Sequence, residues 1–108
     1  GMTDEALVQF FSILELNPND TSVSRKIAEI YKNTNKPQKA AEQLLHIARS
    51  KPEDLDVQEE LAGVYITLGN KMGADALLAQ MIRAAPENIH YLTRRRDLLL
   101  ELGKMEDM

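Results

Sequence analysis

The 108-residue chain has no cysteine and no tryptophan. The first absence excludes disulfide staples, thiolate metal sites and cysteine nucleophiles, and it leaves the redox compartment unreadable. Aromatic residues make up 5% of the chain and histidine occurs twice, at His46 and His90. Two histidines so far apart offer no metal cluster. Excess positive charge is missing too: 13 Lys and Arg against 17 Asp and Glu give a net charge of −4, which offers no long-range attraction to a nucleic-acid backbone. No apolar run approaches the roughly 20 residues that span a bilayer, so no membrane insertion is expected. The opening Gly1-Met2-Thr3-Asp4 carries no basic-then-apolar leader pattern. The reading is a soluble chain, with the cytoplasm favoured as its compartment. Gly1 before Met2 has the look of a cleaved-tag scar, so the segment can have been cut from a longer protein.

What the chain does have is a period. Pro18, Pro52 and Pro86 stand 34 residues apart, and other positions keep the same interval. Tyr31 recurs as Tyr65, Ala28 as Ala62, and Ala6 as Ala40 and Ala74; Ile27 matches Leu61, Phe10 matches Leu44 and Leu78, and Ile13 matches Ile47 and Met81. Helix-start residues keep time as Asp20, Asp54 and Asn88, and helix-stop residues as Asn35, Gly69 and Gly103. Between these marks the apolar residues step by three and four, as in Ile27, Ile30, Tyr31 and in Leu61, Val64, Tyr65, Leu68. The spacing predicts six helices, near residues 4–17, 21–34, 37–50, 55–68, 71–85 and 89–102. Short Asn-Lys and Gly-Asn turns make sequential helices antiparallel, and Pro37 suits a first helical turn, where its missing N–H costs nothing. Alanines at Ala28, Ala62, Ala40 and Ala74 let paired backbones approach closely.

These residues resemble the tetratricopeptide repeat family, whose 34-residue unit has L-G/A-x-x-Y in its first helix, Ala then Phe/Leu in its second, and a closing Pro. The pattern is met by Ile27-Ala28, Tyr31, Ala40, Leu44 and Pro52, and again by Leu61-Ala62, Tyr65, Ala74, Leu78 and Pro86. It departs where the family prefers Trp, at Ser24 and Gln58, and in the last helix, where Arg95 and Arg96 replace a large apolar and a small residue. The resemblance implies an all-α fold, an α-α superhelix in the form of a right-handed solenoid of antiparallel hairpins. The whole chain, 1–108, then reads as one domain: a half repeat 3–18, repeats 19–52 and 53–86, and a terminal helix 87–104 that the arginines mark as a polar cap.

The resemblance also implies a non-catalytic module that binds a protein or peptide on its concave face, lined by the first helix of each pair. That mapping places Ser22, Arg25, Lys26 and Glu29 in the groove from one repeat, Asp56, Glu59, Glu60 and Gly63 from the next, and His90, Thr93, Arg94 and Asp97 from the last helix. The bands run basic, acidic, basic. Two readings stay open: a polar groove for a charged peptide, with Gly63 leaving room for a backbone, or structural ion pairs of Arg25, Glu60 and Arg94 across repeats. Some relatives clamp a chaperone's C-terminal carboxylate with basic and Asn residues. Arg25 and Arg94 match the basic positions, but Glu29 and Glu60 stand where Asn is needed and would repel that ligand.

The run Arg94-Arg95-Arg96 lacks interleaved aromatics and reads as a solvated face rather than a nucleic-acid patch. His46, equivalent to Ser12 and Gln80, reads as a surface histidine. No nucleophile–base pair, phosphate loop or metal cluster is evident, so no enzyme activity and no cofactor are expected. An alternative to the adaptor is a structural segment of a larger repeat array with no ligand of its own. Phe10 belongs to core packing, whereas Phe11 is expected at an exposed apolar end, which predicts a homodimer through the N-terminal end.

Overall fold

Four of the six helices begin at an Asp or Asn side chain that satisfies free backbone N–H groups. The computed structural model describes residues 2–106; Gly1, and with it the tag-scar reading, lies outside the described residues. Six helices follow one another: α1 (Met2–Leu16), α2 (Thr21–Asn33), α3 (Pro37–Ser50), α4 (Leu55–Thr67), α5 (Lys71–Ala84) and α6 (Ile89–Glu106). The Asp20 carboxylate accepts from the Val23 amide and the Asp54 carboxylate from the Val57 amide, both at 3.3 Å. Asn88 accepts from the His90 and Tyr91 amides, and Asn70 from the Gly73 amide. Pro37 opens α3, as its fixed φ and missing donor favour.

The two tight turns are the same device used twice. Asn35 has φ +60° and Gly69 has φ +81°. In each turn the next residue's amide reaches back to a tyrosine carbonyl, Lys36 to Tyr31 and Asn70 to Tyr65, both at 2.8 Å. This is the six-to-one bond of a Schellman motif, which requires the left-handed residue between them. Gly103 is a correction to the sequence reading: α6 passes through it to Glu106. Lys104, Met105 and Glu106 are good helix formers, so nothing downstream of this glycine compels a stop.

Sequential helices pack in a row rather than around one centre, giving a slab 46 × 30 × 17 Å across. Three apolar clusters join them. Leu7, Phe10 and Leu14 of α1 rest on Val23, Ile27, Tyr31 and Ala40. Ala28, Ala41, Leu44 and Ile47 meet Val57, Leu61 and Val64 of the following helix. Ala62, Ala74, Leu78 and Met81 meet Tyr91 and Leu98 of α6. Each fully buried leucine or isoleucine is worth about 1.5–3 kcal/mol of transfer energy. The four predicted alanines are all buried in these contacts. Among the described residues no helix is long and apolar enough to cross a membrane.

Both ends differ from the interior. Ile13, equivalent to the buried Ile47 and Met81, is exposed, because among the described residues no helix covers that side of α1; Phe11 is exposed as expected. The polar-cap reading of α6 is corrected: Leu92, Leu99 and Leu100 lie exposed beside Arg95 and Arg96, so the end is amphipathic. Arg95 is drawn inward by Asp75 at 2.9 Å, and the hydrogen bond and charge of that carboxylate raise its already high pKa.

The position at which the family prefers Trp is buried in both repeats but holds polar side chains. Gln58 donates through Nε2 to the Pro52 carbonyl, while its Oε1 and the Ser24 hydroxyl have no partner. A buried hydroxyl without a partner costs about 1–3 kcal/mol. Ser24→Ala is therefore expected to raise the unfolding free energy by about 1 kcal/mol, read as a rise of several degrees in a thermal melt. A fall in the midpoint would show that the hydroxyl is satisfied in solution.

Candidate functional site

Helices α2, α4 and α6 occupy alternate places in the row, and their long charged side chains reach across the intervening gap. Arg25 on α2 lies 3.5 Å from Glu60 on α4 and 3.6 Å from Asp54 at its N-terminus. Lys32 joins Glu60 from the far side at 2.8 Å. One helix further on, Glu59 is held by His90 Nε2 at 2.9 Å and by Arg94 at 3.4 Å.

The two cross-helix pairs Arg25–Glu60 and Glu59–Arg94 are geometrically one motif. Each links residues 35 apart, one more than the repeat period, so the same position of one helix meets the next position along on its neighbour. The polarity reverses between them, cation to anion and then anion to cation, which is why the α4 band must be acidic if both outer bands are basic. Of the two readings of these charges, the ion-pair geometry is present for Arg25 and Glu60, while Arg94 pairs with Glu59 instead of Glu60. The groups remain partly solvated, so each pair is worth at most about 1 kcal/mol.

Not every expected groove residue joins this ladder. Lys26 leans over the Phe10 ring with Nζ 5.8 Å from its centroid, a contact to α1 that covers apolar surface. Glu29 and Asp56 are exposed and make no ion pair among the described residues. Asp97 pairs with its neighbour Arg96 at 3.3 Å. Thr93 is half-buried and Ser22 exposed. At Gly63 an added Cβ would meet nothing within 4 Å, so packing does not demand glycine and the space above it is open. Thr21, Ser22, Arg25, Lys26 and Glu29 line a cleft together with Ile47, Lys51 and Asp54. His46 is exposed and reaches the Pro18 carbonyl at 2.9 Å, away from this face.

The sequence reading missed three contributors. Lys32 and Asp54 enter the ladder, Asp54 while also capping α4. Tyr91 is buried beside the acidic band, and its hydroxyl pKa is raised above 10.0 by burial first, then by Glu59 and Asp56. The 35-residue interval between opposite charges was the available signal for the pairs; Tyr91 is equivalent to the apolar Val23 and Val57 and carries no mark in the sequence.

No family model matches this chain, and no curated protein matches its sequence. Solved structures do match. The MamA protein superposes with a TM-score of 0.77 at 17% identity, covering 98% of this chain and 58% of that one. A thermophilic tetratricopeptide protein of Thermus thermophilus gives 0.69 at 20% identity, covering 91% and 50%. The first tetratricopeptide domain of Spaghetti (RPAP3), solved bound to the HSP90 peptide SRMEEVD, gives 0.72 at 14%, covering 95% and 82%. The chain thus spans between half and three-fifths of the MamA and Thermus proteins. At these identities the likeness shows the fold, and the fold is the tetratricopeptide-type all-α helical repeat.

Two outcomes test the electrostatics of this face. A double-mutant cycle on Arg25→Met and Glu60→Gln is expected to give a coupling below about 1 kcal/mol that shrinks as salt is raised to about 1 M; a coupling of several kcal/mol would contradict the solvated geometry. Phenolate absorbance of Tyr91, taken as the difference from Tyr91→Phe, is expected to appear above pH 10, and Glu59→Gln to shift it downward. The folded-state value is the raised one, so the stability from the neutral phenol is complete below pH 10 and is lost as pH rises through the folded-state value.

Proposed function

We propose that this chain, a tetratricopeptide-type helical repeat, is a non-catalytic adaptor whose α2–α4–α6 face binds a peptide or protein segment. The observation that carries the reading is a pair of exposed carboxylates on successive first-type helices, Glu29 and Asp56, both outside the ion-pair ladder, with Glu29 lining the cleft and open space at Gly63, the position equivalent to Glu29 one repeat on. A segment carrying basic side chains suits them. Arg25, Lys26, Glu59, Glu60, His90 and Arg94 frame the same face and set its register of charge. The peptide-bound RPAP3 domain supports peptide recognition on such a scaffold. This chain does not suit a free C-terminal carboxylate, because Glu60 and Asp54 already flank Arg25 and Glu59 flanks Arg94.

The proposed organisation is one domain, with a half repeat 3–18, repeats 19–52 and 53–86 and a terminal helix 87–104. The same reading includes association of two copies through the apolar face that α1 exposes. A second reading, a structural segment of a longer array, is favoured by that same exposure at both end helices.

Partner capture from the source lysate, followed by titration of the captured protein's basic segment, tests the adaptor reading. Glu29→Lys with Asp56→Lys is expected to weaken binding at least tenfold, about 1.4 kcal/mol, with the melting midpoint unchanged. Unchanged affinity in the double variant overturns this assignment of the face.

A further inference from the structure

The two ends of the row lack opposite things. α1 stands in the register of the second helix of a repeat, with Ala6, Phe10 and Ile13 equivalent to Ala74, Leu78 and Met81. Among the described residues no first-type helix covers it, and Ile13 is 41% exposed where Ile47 is 1% and Met81 0%. α6 stands in the register of the first helix of a repeat, with Arg96 and Leu99 equivalent to Ala62 and Tyr65. Among the described residues no second-type helix covers it, and Leu99 is 46% exposed where the equivalent Tyr31 is 9%. Within a whole repeat these are the surfaces that meet, as Ala62 does with Ala74, Leu78 and Met81.

We infer that α1 of a second copy of this chain seats on α6, head to tail, so that Ile13, Phe10 and Ala6 cover the Leu92–Leu99 face and the two copies together complete a repeat. The inference rests on the self-association through α1 read above and names what α1 meets.

Charge supports the match. α1 carries Asp4, Glu5 and Glu15 and no lysine or arginine; on α6, Arg94 and Arg95 are already engaged by Glu59 and Asp75, and Arg96, paired only with its exposed neighbour Asp97, is the cation left at the surface. Glu5 holds the position of Lys39, whose Nζ lies 5.7 Å from the Tyr31 ring centroid. Tyr31 is equivalent to Leu99, so seating α1 brings Glu5 to Leu99, one helical turn from Arg95 and Arg96. Arg96 replaces the small Ala28 and Ala62, so the seated helix lies farther from α6 than in a whole repeat, with the exposed guanidinium of Arg96 reaching the carboxylate. Such a contact uses different surfaces on the two copies and does not close on itself, so it builds open chains rather than a dimer.

Sedimentation velocity over a concentration series tests this on the 108-residue chain, with circular dichroism melts confirming that the variants fold. The native mass is expected to grow with concentration without a plateau at two copies. Ile13→Asp and Leu99→Asp are each expected to be monomeric, and an equimolar mixture of the two to form pairs and stop there, since one intact α1 face and one intact α6 face remain. Glu5→Arg is expected to weaken association at least tenfold and, mixed with Arg96→Glu, to recover it. If Ile13→Asp is monomeric but Leu99→Asp associates like the native chain, α1 pairs symmetrically with α1: the present inference falls while self-association through α1 stands. Association that survives Ile13→Asp, or a native chain that is monomeric at about 1 mM, overturns both.

Discussion

Everything else in this molecule depends on the close crossing of two helices at alanine. Ala62 with Ala74, and Ala28 beside Leu44 and Ile47, leave the paired backbones near enough for the larger neighbours to interlock. A helix of 13 or 14 residues is marginal in isolation, so its stability comes from this packing and not from propensity. The Schellman turns at Asn35 and Gly69 serve the crossing by reversing the chain in the fewest residues. Because each pair buries only one side of itself, the packing that makes a hairpin also creates the need for the next one.

That serial construction explains the charged face. First-type helices are held apart by the second-type helices between them, at a separation only long side chains can bridge. Arginine and glutamate fill that gap with one repeated offset, and alternation of sign along the row is the condition for every rung to attract. The rungs are solvated enough to contribute little to stability, so their main consequence is to fix which charges are engaged and which, at Glu29 and Asp56, face outward. Tyr91 shows the other side of the same field: a phenol packed against the acidic band keeps its proton to higher pH.

Serial packing also has two ends, and the physics that buries Ile47 and Met81 leaves Ile13 in solvent. The exposed apolar surfaces at α1 and α6 are the repeat's own unfilled positions, not irregularities of the fold. Arg95 illustrates how such a position can be adapted, since it occupies a core site of the interior repeats yet is satisfied by turning to Asp75.

Much of this was legible without coordinates. The 34-residue period, the caps at Asp20, Asp54 and Asn88, the left-handed residues at Asn35 and Gly69 and the alanine crossings are local or nearest-neighbour rules, and a sequence carries those directly. They determined the helix count, the antiparallel order and the buried alanines at the interior crossings. The tertiary structure alone decided which rung each charge joins, because a residue's partner across 35 positions depends on how far one helix is displaced along the next. It also decided that Ser24 and Gln58 are buried with unmatched polar atoms, that Gly103 does not end α6, and that the last helix is amphipathic rather than polar. Burial is set by whether a neighbour is present, and periodicity assigns the same expectation to an end position as to an interior one.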